Sequence, residues 1–269
     1  MPAFFSLNKI LKEGVEYRTT RRQGYVIRKI GTNSSGNARI DVDGKKLSVI
    51  NSSVAPLHVT SSNLLGPLDL KDCYIVVPPN TKFSFTGDSG SKMRVVGEAV
   101  LLEVGESFPS EYLSRFGEQH DRFRTLYEAS FSLGTDETWK NGIAYEVMSL
   151  TPLTTERITL DDVVLVNITG DTVSEGDFAV EFYMDNTPFE PEFAENLYAG
   201  IDALSMPSPP RDDTEELVFT LKDYPIVVNG DHTLSIRVRN VSGSDKAPAS
   251  GSSWTVNVKV IAKYERVGS

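Results

Sequence analysis

The side chains that most often perform catalysis or bind metals are few in this chain and lie far apart. The histidines are His58, His120 and His232, and the single cysteine is Cys73. Metal sites usually place ligands within a few residues of each other, and these residues do not follow such a spacing. The sequence also lacks a Gly-Xaa-Ser-Xaa-Gly nucleophile motif and a phosphate-binding loop. We therefore expect a protein that is not an enzyme and carries no cofactor.

Carboxylates are plentiful between residues 161 and 195, but their pattern does not single out a reactive pair. A glycosidase needs two carboxyl groups at a defined separation across a sugar, and an acidic run is equally typical of a charged surface. The segment Asn229–Gly230–Asp231 could offer oxygen ligands to calcium. Because the same residues are typical of a tight hairpin turn, the turn is the main interpretation and calcium the alternative.

Aromatic residues of the second half could form a platform on which a sugar ring stacks. The residues concerned are Trp139, Tyr145, Tyr183 and Trp254. Most aromatic side chains of β-sandwiches lie in the core, and Trp254 begins a segment whose alternation predicts burial. Core packing is therefore the main interpretation. Trp139 and Tyr183 are the candidates for facing a ligand such as a host-surface glycan.

A repeat with a period of 151 residues indicates how the chain is organised. Leu70–Phe85 and Leu221–Ile236 are identical at seven of sixteen aligned positions. Each copy contains Leu-Lys-Asp, then Ile-Val-Val, then a polar turn and a second apolar segment. This pattern predicts strand, turn and strand in both copies, and two versions of one β unit.

Short apolar segments on either side of the repeat predict an all-β protein. Asp43–Gly44 lies between two of them and is typical of a β-hairpin turn. Since the strands are short and do not alternate with helices, we predict two tandem antiparallel β-sandwiches of jelly-roll type, joined by a short helical connector. The predicted bounds are 1–14 for an N-terminal arm, 15–106 for the first sandwich, 107–141 for the connector and 142–269 for the second sandwich.

Composition and charge narrow the class of protein further. Hydrophobic residues make up 39% of the chain, which is too many for a disordered protein, and no apolar stretch is long enough for a membrane-spanning helix. The N-terminus has no continuous signal-peptide core, so we expect synthesis in the cytoplasm. A net charge of −10 predicts no specific recognition of nucleic acid.

The first thirty residues differ in charge from the rest of the chain. They hold seven Lys or Arg and two Glu, which gives +5 against −15 for the remaining 239 residues. The apolar residues at the start are spaced as on one side of a short helix, which predicts a basic arm that docks on a partner. For the charges themselves, the main interpretation is a solvated edge strand, and a basic arm that contacts phosphate, lipid headgroups or an acidic neighbouring subunit is the alternative. The residues of the predicted assembly arm are Phe4, Phe5, Leu7, Ile10, Leu11, Arg18, Arg21 and Arg22.

The duplicated segments, the arm from Met1 to Lys29 and the missing signal peptide together resemble the plan of tandem jelly-roll proteins of virus particles. That group includes capsid subunits, turret proteins and decoration proteins. The resemblance implies a structural protein of the virion that forms homo-oligomers and contacts other virion proteins. It also implies that loops such as Thr187–Pro210 and Val241–Ser253 face solvent or a host surface during attachment. A lectin-like, carbohydrate-binding pair of sandwiches is the alternative function.

Overall fold

The computed structural model describes residues 2–60, 64–189, 198–208 and 219–268. Antiparallel strands dominate this part of the chain, which also contains one α-helix and two short 3-10 turns. The chain divides into two compact units. The first unit contains residues 1–126 and 263–266, and the second contains residues 127–262 and 267–269.

The first unit is a sandwich of two antiparallel sheets. One sheet has the strand order β1-β9-β3-β6, with β7 also pairing with β3, and the other has the order β2-β8-β4-β5. A single helix, α1 (Ser110–Glu118), follows the last strand. The strands are β1 (Ala3–Lys12), β2 (Glu16–Arg18), β3 (Gln23–Thr32), β4 (Ala38–Val42), β5 (Lys45–Ile50), β6 (Leu68–Asp69), β7 (Ile75–Val77), β8 (Lys82–Thr86) and β9 (Lys92–Leu101).

The second unit is also a sandwich of two antiparallel sheets. Its sheets have the orders β10-β18-β12-β16 and β11-β17-β13-β14, with β15 pairing with β13. The strands are β10 (Arg122–Ser132), β11 (Ala144–Leu150), β12 (Glu156–Thr169), β13 (Phe178–Met184), β14 (Thr187–Pro188), β15 (Ile201–Asp202), β16 (Ile226–Asn229), β17 (Leu234–Asn240) and β18 (Thr255–Arg266). The first residues of β10 and the last residues of β18 belong to the first unit.

Both units have the same topology. With the additional strands β6 and β15 set aside, the described residues of each unit form eight strands in chain order. Numbered one to eight within its unit, one sheet has the order 1-8-3-6 and the other has the order 2-7-4-5 in both cases. The chain therefore passes repeatedly between two sheets, as in a jelly roll. This confirms the predicted fold class of two tandem antiparallel jelly-roll-like sandwiches.

The repeated sequence segments occupy equivalent places in the two units. In the first copy, β7 pairs with β3 and β8 pairs with β4. In the second copy, β16 pairs with β12 and β17 pairs with β13. The prediction of two strands in each copy is therefore correct. The prediction of a hairpin at Asn229–Gly230–Asp231 is wrong, because this turn carries the chain from one sheet to the other.

The hairpin predicted at Asp43–Gly44 is present. In the pairing of β4 with β5, Val42 lies opposite Lys45, so Asp43 and Gly44 form the whole loop. Asp43 has φ of 50° and Gly44 has φ of 76°. Two successive positive φ angles are the geometry that a two-residue hairpin needs to match the twist of its strands.

Helix α1 covers one face of the first unit. Val26, Val76 and Val100 lie on the outer face of their sheet and form a buried cluster with Phe108, which lies just before the helix. The Ile-Val-Val strand β7 is consequently buried on both faces. In the equivalent strand β16, Val227 is 42% exposed. The helix is shorter than the predicted connector, and residues from Arg122 onward form a strand.

The predicted segments differ in their bounds from the two compact units. Residues 1–14 and residues 107–126 lie in the first unit, where they form β1, α1 and the start of β10. Of the loop Thr187–Pro210, residues 190–197 and 209–210 lie outside the described residues. The loop Val241–Ser253 is held at Lys246, whose backbone N–H and C=O both pair with Trp139.

Candidate assembly surface

The N-terminal residues predicted as a helical arm form an edge strand instead. All ten residues of β1 pair with β9, from Ala3 opposite Leu101 to Lys12 opposite Lys92. The helix prediction is therefore wrong, and the interpretation of this segment as an edge strand is correct. The physical reason is the partner, because β9 offers ten residues of unpaired backbone along which β1 can form a complete antiparallel ladder.

The side chains of β1 alternate between the two faces of its sheet, with Phe5, Leu7 and Leu11 on one face and Phe4 and Ile10 on the other. Leu7 and Leu11 are buried in the sandwich. Phe4 is 51% exposed, Phe5 is 55% exposed and Ile10 is 45% exposed. Phe4 and Ile10 share the outer face, while Phe5 is exposed at the end of the face that carries Leu7 and Leu11, so both faces offer apolar area that association can cover.

The outer edge of β1 is also open. β1 lies at the end of its sheet, and β9 is its only strand neighbour within the described residues. An edge strand presents N–H and C=O groups that can pair with another chain. Of these groups, the Lys12 N–H is already used, since it donates to the Tyr17 hydroxyl at 2.9 Å.

A groove runs beside the first half of β1 on the outer face of the sheet. Its volume is about 540 Å³, and it opens to solvent. Four elements contribute its walls, namely β1, β3, β9 and α1. We call it the β1 groove, and it is lined by Phe4, Phe5, Ser6, Arg28, Gly97, Glu98 and Tyr112.

Aromatic packing fixes the wall of the β1 groove that belongs to α1. The Tyr112 ring meets the Phe4 ring edge to face, with their centroids 6.4 Å apart. Tyr112 also contacts Phe108 at 5.9 Å and Tyr74 at 6.1 Å. Burial, followed by the nearby Glu98 carboxylate, raises the pKa of Tyr112. Its hydroxyl therefore stays neutral and can act as a hydrogen-bond donor at physiological pH.

The floor of the β1 groove carries one ion pair. Arg28 lies 3.6 Å from Glu98, and both side chains are 38% exposed. The Arg28 guanidinium carbon also lies 4.4 Å from the centroid of the Tyr74 ring. The groove thus combines apolar rings with one cation and one anion, which suits a protein surface better than a small charged ligand.

The basic residues of the predicted arm lie on the strand and turn that follow β1. Arg18 is on β2 and donates to the Asn80 side chain at 3.0 Å. Arg21 and Arg22 are exposed in the turn before β3. Gln23 and Ala3 both lie opposite Leu101, so this turn is at the same end of the sheet as Phe4. The structure thus brings the turn arginines and the exposed phenylalanines to one sheet end.

The two aromatic residues predicted to face a ligand do not form a stacking platform. Trp139 is fully buried, where its ring packs 4.8 Å from Phe178 and its Nε1 donates to the Ile143 carbonyl. The prediction for Trp139 is therefore wrong. Tyr183 is partly exposed, but the Arg237 guanidinium carbon lies 4.1 Å from its ring centroid and covers that face.

The residues with reactive side chains are not gathered into a site. His120 lies beside Lys45 and Asp121, and His232 pairs with Asp185 at 2.7 Å. Burial raises the pKa of the Cys73 thiol to about 12, with the Asp72 carboxylate as the second cause. Within the described ranges, no group of three or more His, Cys, Asp or Glu side chains could hold a metal ion.

The turn considered for calcium has a structural explanation. Asp231 accepts a hydrogen bond from the Thr154 hydroxyl at 3.1 Å. A Cβ atom on Gly230 would lie 2.5 Å from the Leu153 carbonyl oxygen, so glycine allows two backbone segments to approach closely. Across the described residues of the whole chain, no helix is long and apolar enough to cross a membrane.

Apart from Phe4 and Phe5, the five other residues that line the β1 groove were not among the site residues predicted from the sequence. Arg28, Glu98 and Tyr112 belong to β3, β9 and α1, which are separated by many residues along the chain. No local motif connects them. The sequence signal that pointed to this surface was the run of apolar side chains at the N-terminus, because apolar side chains are stabilised by contact with other parts of the protein or with a partner.

Comparisons with known proteins give only weak likenesses. No protein-family model and no curated protein matches the sequence. Among solved structures, the chain is similar to the major capsid protein P2 from bacteriophage PM2, with a TM-score of 0.36 and 14% identity over 100% of this chain and 98% of that chain. It is also similar to the ANXUR1 extracellular domain from Arabidopsis thaliana, with a TM-score of 0.27 and 8% identity over 96% and 82%. At these values, neither likeness carries an argument about function.

Proposed function

We propose that this chain is a non-enzymatic structural protein of a virus particle that assembles as a homo-oligomer through its sandwiches. The observation that carries the proposal is the repetition of one jelly-roll topology in both units. Jelly rolls occur in viral capsid domains as well as in lectins and cupins. A subunit that contains two similar modules offers two similar sets of contacts, which suits the closed symmetric assemblies that homo-oligomers form.

The exposed edge of the first unit supports self-assembly on physical grounds. β1 presents ten residues at the end of its sheet, with Phe4, Phe5 and Ile10 exposed. A long edge strand with exposed apolar residues favours association unless another surface covers it. In this proposal β1 makes the lateral contacts as part of its sheet and not as a detachable arm. Contacts with other virion proteins, and host attachment by loops of the second unit, belong to the same proposal.

Light scattering coupled to size-exclusion chromatography, together with electron microscopy of the purified chain, tests the assembly. We expect a defined oligomer, and rings or shells at high concentration. The variant Phe4→Ser with Phe5→Ser should weaken association, whereas Val59→Ser, which changes a 59% exposed residue elsewhere in the first unit, should not. A wild-type chain that stays strictly monomeric at high concentration would contradict the proposal.

Point variants are better suited to this test than a deletion of residues 1–14. Such a deletion would remove the buried Leu7 and Leu11 along with the exposed residues. It would also expose the edge of β9 that β1 now covers. A loss of assembly after that deletion would therefore report unfolding as readily as a lost contact.

A further inference from the structure

The two units carry opposite net charge. By sequence, the first unit holds 19 Lys or Arg and 14 Asp or Glu, which gives +5. The second unit holds 8 Lys or Arg and 23 Asp or Glu, which gives −15. These values add to the net charge of −10 for the whole chain. Charge in this protein is thus divided between its two modules.

This division favours one way of bringing two copies together. Two first units repel each other, and two second units repel each other more strongly. A first unit and a second unit of different copies attract each other. Charge complementarity of this kind steers encounter and suppresses the wrong pairing of similar surfaces.

The β1 groove is the surface of the first unit that can use this attraction. Phe4 and Phe5 supply apolar area beside the open edge of β1. Arg21 and Arg22 lie at the same end of the sheet, and neither has a carboxylate partner within the described residues. Glu103 and Glu106 follow β9 at this end, where the Glu106 side chain accepts from the Glu103 amide at 2.8 Å. The end of the sheet is therefore an apolar surface bordered by charges of both signs.

We propose that the β1 groove and the open edge of β1 bind the acidic second unit of another copy of this chain. The contact is head to tail, so each copy uses a different surface toward each of its two neighbours. Contacts of this kind close into a ring when the rotation between copies divides a full turn, and otherwise continue as a filament. The inference rests on the proposed self-assembly and adds which surfaces meet.

Site-specific cross-linking identifies the occupant directly. A benzophenone amino acid replaces Phe4, whose side chain lies on the face of the β1 groove and is 51% exposed. The chain is prepared as an equal mixture of ¹⁴N-labelled and ¹⁵N-labelled copies. Irradiation followed by mass spectrometry should give mixed-isotope cross-links to peptides from residues 127–262. Cross-links to residues 1–126 of the other copy would show that this surface meets another first unit, and would overturn the proposal. An oligomer without cross-links between copies would show that the copies do not meet at this surface, and overturns the proposal as well.

Charge variants test the electrostatic part independently. Arg21→Glu with Arg22→Glu should weaken association by about tenfold. The control variant is Lys46→Glu with Lys92→Glu, which makes the same charge change on exposed residues away from this sheet end. It should have a smaller effect. Raising the salt concentration from about 0.1 M to about 1 M shortens the screening length from about 10 Å to about 3 Å and should also weaken association.

The outcomes separate this inference from the proposed function. A strict monomer contradicts both. An oligomer that tightens as salt rises, or that responds equally to the two charge variants, leaves the assembly proposal standing and overturns the head-to-tail contact.

Discussion

Leu11 on β1 lies directly opposite Met93 on β9, and both side chains are fully buried. The neighbouring Ile10 lies opposite Arg94 and is 45% exposed. One step along the strand therefore moves a side chain from the core to the surface, as the two-residue period of a strand requires. The N-terminal segment is part of the sandwich, and its removal has a cost that a detachable arm would not have.

The positions of these two neighbouring side chains predict different effects for an alanine substitution at each of them. Leu11→Ala should lower the free energy of unfolding by about 2–5 kcal/mol, because it leaves a cavity in a closed core. Ile10→Ala should change it by less than about 1 kcal/mol, because the side chain is largely hydrated already. Urea denaturation followed by circular dichroism measures both values. Equal small effects would show that β1 is not an integral strand.

Gly97 on β9 predicts a second contrast. The pairing of β3 with β9 shifts between Ile27 and Lys29, and at this irregularity a Cβ atom on Gly97 would collide with the Val26 carbonyl oxygen. Gly97→Ala should therefore destabilise the first unit by about 1–3 kcal/mol or more, since the clash involves backbone atoms.

Gly117 provides the matched control for that variant. It lies in α1, and a Cβ atom there would meet nothing within 4 Å. Gly117→Ala should stabilise the protein by roughly 0.5–1 kcal/mol, because alanine has the higher helix propensity. Thermal unfolding of the two variants should give shifts of Tm with opposite sign. Shifts of the same sign would contradict the described geometry at one of the two positions.

The elements that were predictable from the sequence are those whose signal is local. Asp43–Gly44 determines its own backbone conformation, and the hairpin follows from two residues. The repeat Leu70–Phe85 and Leu221–Ile236 indicated two related modules, because equivalent strands keep similar apolar patterns. The choice between strand and helix at the N-terminus could not be settled in this way. The five apolar residues there fit either period, and the decisive partner, β9, begins 80 residues after β1 ends.

The candidate surface was less predictable, because separate elements assemble it. Phe4 and Phe5 could be identified as apolar residues in need of cover, but Arg28, Glu98 and Tyr112 join them only through the strand order and the packing of α1. The burial of Trp139 also depends on a residue distant in the sequence. Its ring packs 4.8 Å from the ring of Phe178, which lies on β13.

The buried Cys73 predicts a thiol that reacts only after unfolding. Burial raises its pKa to about 12, so almost none of the reactive thiolate forms at pH 8. A disulfide reagent at pH 8 should therefore label the native protein slowly, at a rate that rises with urea along with global unfolding. Ser89→Cys, at an exposed turn position, should add one thiol that reacts at once. Fast labelling of Cys73 in the native protein would show that the first unit opens locally.

The Asp177–Lys246 ion pair predicts how stability of the second unit depends on pH. The Lys246 ammonium lies 2.7 Å from Asp177, and the Ser174 amide donates to the same carboxylate at 2.8 Å. Burial by itself raises the pKa of Asp177, but these two hydrogen bonds outweigh it and hold the pKa below its ordinary value of 3.8. A lowered pKa stabilises the folded state fully above that ordinary value, and the contribution disappears as the pH falls through the folded pKa.

Asp177→Asn should therefore lower the free energy of unfolding on the order of 2 kcal/mol at pH 7 and lose less stability than the wild type between pH 5 and pH 3. Urea denaturation at pH 7, 5 and 3 measures both effects. Glu175→Gln removes an exposed carboxylate two residues earlier, and its pH profile should follow that of the wild type. The pair also fixes Lys246, whose backbone carbonyl accepts a hydrogen bond from the Trp254 Nε1 at 3.0 Å and whose backbone pairs with that of Trp139. The substitution should therefore change the tryptophan emission as well. If the stability of Asp177→Asn falls with pH in parallel with that of the wild type down to pH 3, this carboxylate does not contribute to the pH dependence of unfolding.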